Sequence, residues 1–476
     1  MFAHHLRLPR NVQLALYTAL AALLTYLLPV QATLILWSAA ALVVLSAIVP
    51  LAVVAPLLIL APLRTLISTE SAWFLPLDIG QILFLLALAV VLMARVARRQ
   101  TAMCPVDSGV FGFLLTFLVV LGMTAFSAWS LEAWLSEWLK WWVIAITAYA
   151  TATLLRGHEL WLAAFLVISA LANALLGIYI FLGGSGADHL LIANRFFRAF
   201  GSFGQPNPFG GFMGLVLPLA LALSFWSAGR WWRGRAFDQG IRTIFFAGAS
   251  LILGLGLFVS WSRGAWLAAA VAVLAVAFAW PRKVKHSLAA VGVLISLLAL
   301  AWSANLLPSS VIERVGSIAS DLFKVGDVRG VEITSDNYAV IERLAHWQAA
   351  WNMAEAHPWL GVGLGNYEVA YPVYSLVNWP LALGHAHNYY LNILAEGGMI
   401  GLSAYVIFSI GTLWLLWRVR QSNQGFNRAL GVGLLGSWVY LAVHSLLDNL
   451  YVNNIFIHLG VMLGILATLH DQTRPS

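Results

Sequence analysis

The sequence predicts an all-α, polytopic membrane protein of about 12–14 transmembrane helices with a large, partly helical loop on one side. Three observations carry that prediction. Hydrophobic residues make up 61% of the chain and charged residues only 9%, with a mean hydropathy of +0.85; an ordinary soluble domain carries about 25% charged residues. Apolar windows of bilayer-spanning length recur from end to end. Basic residues collect between alternate windows, the signature of a fixed orientation in a membrane.

The windows fall near 12–29, 32–49, 50–67, 77–95, 108–127, 138–155 and 159–182, then near 208–228, 241–260, 264–281, 286–305, 394–417, 429–447 and 452–470. Pro29, Pro50, Pro56 and Pro62 interrupt the first three, so one of these is expected to be interfacial or re-entrant. The first apolar run opens a series of spans and has no cleavable signal pattern. Cys104 is the single cysteine, which excludes an intramolecular disulfide and a cysteine-based metal site.

With the N-terminus inside, the inner segments hold Arg7, Arg10, Arg95, Arg98, Arg99, Arg156, Arg230, Arg233, Arg235 and Arg242, then Arg282, Lys283, Lys285, Arg418, Arg420, Arg428 and Arg474. The net charge of +7 therefore marks inner loops, and no nucleic-acid partner is needed to explain it. The same orientation puts 183–207, the turn around 261–264 and the stretch 306–393 outside. The chain divides into a first helix bundle at 1–305, an outer loop domain at 306–393 and C-terminal spans at 394–476. A loop of that length is expected to hold structure of its own. Val340, Leu344, Trp347 and Trp351 form a helical stripe within 338–356, with Thr334, Ser335 and Asp336 as N-cap candidates and Pro358 and Gly361 as stop signals.

Four outer elements hold ionisable groups in unusual places. Arg195 and Arg198 sit among aromatic residues in a Gly- and Pro-rich loop. Arg263 lies in the turn Ser260-Trp261-Ser262-Arg263-Gly264, and Glu342-Arg343 lie within the outer helix. His385-Ala386-His387-Asn388 stands at the mouth of a span. Each has an ordinary reading: arginines at span ends snorkel to headgroups, and His387 at a helix mouth caps the helix or bonds a neighbouring loop. Together they place three guanidinium groups and a histidine at one membrane face. Guanidinium forks bind phosphate bidentately and stay charged, and a histidine accepts a proton near neutral pH. That set suits transfer of a group from a lipid pyrophosphate to an alcohol. No Asp-x-Asp or His-x-x-x-His constellation occurs at this face, so neither a metal nor any other cofactor is expected. Gly361-Val362-Gly363-Leu364-Gly365-Asn366 resembles a nucleotide loop, but no Lys-Ser/Thr follows and no strand precedes it; it reads as a tight turn whose amides are available to an anion.

The pattern resembles the O-antigen ligase and polymerase superfamily of bacterial membrane glycosyltransferases. The likeness rests on His387-Asn388 with Gly398 and Gly401 following, on Ser262-Arg263-Gly264-Ala265-Trp266, and on Arg343 to Trp351 followed by His357-Pro358-Trp359-Leu360-Gly361-Val362-Gly363. Gly201-Ser202-Phe203-Gly204-Gln205-Pro206-Asn207 is also similar to a family segment. The resemblance implies a GT-C-like fold in the bacterial inner membrane, with a periplasm-facing cavity under a large periplasmic loop. It implies metal-independent, inverting transfer of a glycan from undecaprenyl pyrophosphate to an acceptor hydroxyl. The acceptor nearest the motif match is a lipid A–core sugar, a glycolipid. Another glycan repeat, as in a polymerase, or a protein Ser or Thr needs the same groups. By the same likeness His387 matches the catalytic base, and Arg263 and Arg343 match arginines that bind the pyrophosphate. Arg198 matches a further substrate contact for which Arg195 is close enough to substitute, Asn388 completes the His-Asn pair as a substrate-binding candidate, and His385, which has no counterpart in the likeness, is a supporting candidate behind it. The rival of another class is a transporter of a small anion such as bicarbonate, but no internal repeat between the halves supports it.

Overall fold

The computed structural model describes residues 51–70, 77–97, 108–184, 190–192, 195–304, 327–333 and 337–473, together with isolated positions between 18 and 49 and at 186 and 312. The expected spans at 12–29 and 32–49, Cys104, and the caps Thr334, Ser335 and Asp336 lie outside the continuously described residues. Helices are numbered here from Leu51.

The chain is an all-α, multi-pass membrane protein. α1 (Leu51–Leu60), a 3-10 turn (Ala61–Leu63) and α2 (Arg64–Glu70) form one broken span, followed by α3 (Ile79–Ala97) and α4 (Ser108–Met123). A second 3-10 turn (Thr124–Ser127) closes α4; α5 (Leu131–Leu154) and α6 (Glu159–Phe181) come next. The two-residue strands β1 (Leu191–Ile192) and β2 (Phe196–Phe197) pair antiparallel, Leu191 opposite Phe197. The bundle continues with α7 (Pro206–Gly234), α8 (Phe237–Val259), α9 (Arg263–Ala279) and α10 (Val284–Ser303). The expected loop contains α11 (Tyr338–Ala356) and α12 (Tyr367–Tyr374), and the chain ends with α13 (Tyr389–Ser422), α14 (Gly425–His444) and α15 (Ile455–Asp471). Among the described residues, eight helical segments are long and apolar enough to cross a membrane, and three shorter apolar helices accompany them.

α7 is the centre of the bundle. Its apolar window is 83% buried, against 6% for α10, which lies at the periphery. α7 packs on α8, α9 and α14, while α5 packs on α15 and α13 on both α4 and α14. Pro206 occupies the first turn of α7, where its missing amide costs no helical hydrogen bond.

The break in the first span follows from Pro56 and Pro62, which leave backbone carbonyls without helical partners. Polar side chains from distant segments meet the carbonyls around the break: His458 Nε2 lies 2.9 Å from that of Leu58, which Pro62 leaves without its helical donor, Asn454 Nδ2 donates to that of Ala61 (3.1 Å) and Ser202 Oγ to that of Pro62 (2.9 Å). A broken span is tolerated in lipid only when its freed groups are satisfied in this way.

α11 spans the predicted 338–356, but its inward face is rotated from the expected stripe. Ile341, Leu344, Ala345, Ala349, Ala350 and Met353 are buried, whereas Trp351 is exposed and bonded to Glu355. The small alanines let α11 settle closely on α13, and that close approach outweighed the larger aromatic stripe.

α13 is kinked at Gly398 (φ 60°, ψ −164°). Met399 and Ile400 donate to the carbonyls of Pro358 and Trp359 (2.8 and 3.3 Å), while Val362 and Gly363 donate to those of Ala395 and Glu396 (2.9 and 3.0 Å). The Gly-rich turn is thus wedged into the break and exchanges hydrogen bonds with it. A Cβ on Gly398 would overlap the backbone of Trp359, and one on Gly363, itself at φ +98°, the backbone of Ala128. The expectation that this turn's amides are open to an anion is corrected for Val362, Gly363 and Leu364, the last donating to Thr124 Oγ1 (3.2 Å).

Candidate active site

Three turns and one helix converge at the ends of α9 and α14. Ser262 is the N-cap residue of α9 and Arg263 its first residue, so the positive end of that helix opens toward the same point. The preceding Trp261 has φ +56°, which compresses the α8–α9 connection and restricts where Arg263 can go. Arg198, in the segment leading to α7, donates from Nε to the Ser260 carbonyl (3.3 Å) and from Nη2 to Asn207 Oδ1 (3.4 Å). The same Asn207 oxygen accepts from Ser262 Oγ at 2.9 Å, tying two of the turns together.

The third turn carries the histidines. Asn388 caps α13, its side chain accepting from the Leu391 amide (3.1 Å), and Asn392 accepts from the Ala386 amide (3.1 Å). The Tyr389 amide donates to the Ser445 carbonyl (2.7 Å), which docks this loop on the turn after α14. His387 takes φ +54°, a costly conformation for a non-glycine residue, and held here by those flanking bonds.

A cavity of about 180 Å³ results. Arg198, Arg263, Glu342, Arg343, His387 and Asp448 are among its lining residues, with Asn207, Ser262 and His444 contributing further polar groups. The arginines and the histidine expected to converge do converge. Arg195 does not line it: this residue is exposed, its guanidinium 5.0 Å from the Phe196 ring centre. Asn388 and His385 are also absent from the lining, the first being a cap and the second standing behind His387, ring centres 4.5 Å apart.

Asp448 and His444 were missed in the sequence, although both were visible as ionisable groups four residues apart at the end of an apolar window. His387 Nδ1 and His385 Nε2 lie 3.7 and 3.8 Å from Asp448 Oδ1. Burial by itself would raise the Asp448 carboxyl; the close approach of His387 and the charge of Arg343 override it and hold the group well below the usual carboxylate range. Burial pushes His385 down to about 4, so it is neutral at physiological pH.

The facing atoms of His385, His387 and Asp448 lie within 4.8 Å of one another, close enough to hold a cation. However, His385 Nδ1 accepts a hydrogen bond from the His387 amide (3.0 Å), which leaves the proton of the neutral ring on Nε2. In that tautomer His385 presents Asp448 with a donor and has no lone pair for a metal. A third histidine, His346 of α11, packs edge-on against His387 at 5.6 Å, stacks on Tyr371 and places Nδ1 2.9 Å from the Tyr367 hydroxyl. Burial lowers its pKa to about 4 as well.

Residues 248–406 match the family model described as O-antigen ligase. Over this stretch the chain carries an O-antigen ligase domain, which supports the O-antigen ligase superfamily. The matched stretch runs from α8 through the kink of α13 and contains Arg263, Arg343, His385, His387 and Asn388; Arg198 and Asp448 lie outside it. At family level, the O-antigen ligase domain together with the spanning helices makes this a membrane glycosyltransferase of the ligase or polymerase kind. Comparison with curated proteins found no match.

Proposed function

We propose that this O-antigen ligase-type protein transfers a glycan from undecaprenyl pyrophosphate to an acceptor hydroxyl, without a metal ion and with inversion at the anomeric carbon. The observation that carries this reading is the lining of one small cavity by Arg198, Arg263, Arg343 and His387, with Asp448 behind the histidine. Asp448 Oδ1 stands 3.7 Å from His387 Nδ1, where its negative charge favours a proton on that nitrogen and leaves the Nε2 lone pair to take the proton of the acceptor hydroxyl. The freed oxygen attacks the anomeric carbon of the reducing-end sugar from the face opposite the leaving group. The bond from that carbon to the pyrophosphate oxygen breaks, and its electron pair stays on the phosphate.

Arg263 and Arg343 neutralise the charge that develops there, supported by the N-terminus of α9, and Arg198 assists. Glu342 offers the acceptor sugar a hydrogen-bond acceptor beside Arg343. A lipid A–core sugar is the acceptor we favour, because the His-Asn and Ser-Arg-Gly motifs stand closest to ligases. The cavity then faces the periplasm in the inner membrane, with α11 supplying Glu342 and Arg343 to its lining. The test is His387→Ala in detergent-purified protein: transfer falls to background while the unfolding temperature is retained. Full activity in that variant overturns the proposal.

A further inference from the structure

Between Glu368 and His385 the chain carries no charged residue, although it lies outside every membrane-spanning helix. This strap covers the end of α12 and the segment leading to the histidines, and apart from exposed Asn378 its large side chains are apolar on both faces. Inward, Leu376 and Trp379 pack with Val328, Ile341 and Leu344, Ala382 joins the neighbouring cluster, and the Tyr371 hydroxyl donates to the Trp379 carbonyl at 2.9 Å. Outward, Val377 is 97% exposed and Leu381 73%, with Val373 and Leu383 also open. An uncharged segment with large apolar side chains on both faces is at home where its outer face meets something other than water.

The position of the strap says what that is. Its first residues, at Tyr374, lie against Trp129 (ring centres 6.0 Å apart), and Tyr374 is also 3.1 Å from His357 Nε2. Trp129 directly follows the span that ends at Ser127, next to exposed Phe126, and exposed Trp359 packs over the kink of α13 near exposed Met399. Aromatic residues at span ends sit at the headgroup level. The strap therefore starts in the aromatic belt, and it finishes in the turn formed by Leu383 (φ +50°) and Gly384 (φ +82°) that delivers His385 and His387 to the cavity.

We infer that residues 373–383 lie in the interfacial layer of the bilayer leaflet on the cavity side, with Val373, Val377 and Leu381 immersed among lipid chains. The strap is a lipid-anchored sill between the belt and the cavity. A second role, guiding the polyprenyl chain of the donor to the arginines, rests on the transferase reading; the immersion does not.

Spin labels at Val377→Cys and Leu381→Cys, in a Cys104→Ser background in nanodiscs, test immersion directly. Ile407→Cys on an exposed face of α13 and Glu332→Cys are the lipid and water references. The expected result is collision with oxygen approaching the Ile407 label and protection from a water-soluble nickel chelate. Nickel access equal to that of the Glu332 label overturns the inference. Exclusion of both reagents, with a label-to-label distance between two copies, also overturns it and makes the strap a protein interface. In turnover with an undecaprenyl donor, Val377→Asp combined with Leu381→Asp is expected to raise donor KM about tenfold while leaving kcat and the KM for a short-chain, water-soluble donor unchanged. An equal loss on both donors removes the guiding role. Absence of turnover in the unmodified protein removes the transferase reading, and the quencher data still decide the immersion.

Discussion

At the scale of single residues, the account depends on the Asp448 carboxylate biasing the proton of His387 toward Nδ1, 3.7 Å away. Asp448→Asn replaces an obligate acceptor with a group that can also donate, which permits the wrong tautomer of His387. We expect kcat to fall by roughly 10² with donor KM little changed, measured on purified protein. Arg263→Lys retains charge but loses the two-pronged guanidinium geometry, and a rise in donor KM of about tenfold is expected; an unchanged KM would remove this residue from the phosphate clamp. His385 and His346 both have folded pKa values near 4, below the ordinary histidine value of 6.5. A histidine held neutral in this way favours the folded state fully above pH 6.5, and that contribution is lost as pH falls toward 4. Thermal unfolding in detergent should therefore drop in temperature across that window, with a shallower slope in His346→Gln. Arg198, Arg263, Arg343 and His387 were legible because each is an ionisable group set against apolar sequence. Asp448 was hidden by its position at the end of a window counted as a span, where it passed for a boundary residue. The cap at Asn388, whose side-chain oxygen accepts from the Leu391 amide, was not legible because it depends on where α13 begins.

At the scale of elements, the kink of α13 is the most informative joint. It exposes two carbonyls and two amides, and the turn at 358–363 pairs with all four. The motif glycine Gly398 is required by that geometry and touches no substrate. Gly398→Ala should destabilise the fold by about 2–3 kcal/mol or more, since it adds both a left-handed strain and an overlap with Trp359. Gly384→Ala has positive φ but open space around it, so a cost of only about 1 kcal/mol is expected. Chemical or thermal unfolding of both variants measures the difference, and equal costs would contradict the wedge. Helices at 159–181, 237–259 and 338–356 were legible from apolar windows, an i, i+4 stripe and helix stop signals. The contents of the Gly-rich turn were not, because the partner that consumes its amides lies more than thirty residues away.

At the scale of the whole molecule, the orientation read from Arg and Lys asymmetry predicts that the cavity and the bundle's basic rim lie on opposite sides of the membrane. Glu332→Cys should react with an impermeant maleimide in intact spheroplasts, and Lys283→Cys only after permeabilisation; the reverse pattern would invert the topology and move the cavity to the cytoplasm. That asymmetry was readable in the sequence because it needs no tertiary information. The broken first span was only half readable: Pro56 and Pro62 announced a break, but not that His458, Asn454 and Ser202 would repair it. The measurement that bears most directly on the central claim uses purified protein in nanodiscs, an undecaprenyl-pyrophosphate glycan and a panel of hydroxyl acceptors. The account predicts release of undecaprenyl pyrophosphate in step with glycan transfer, in the presence of a chelator, with inverted anomeric configuration and loss in His387→Ala. Retained configuration, a requirement for added divalent metal, or small-anion uptake in proteoliposomes without any turnover would contradict it.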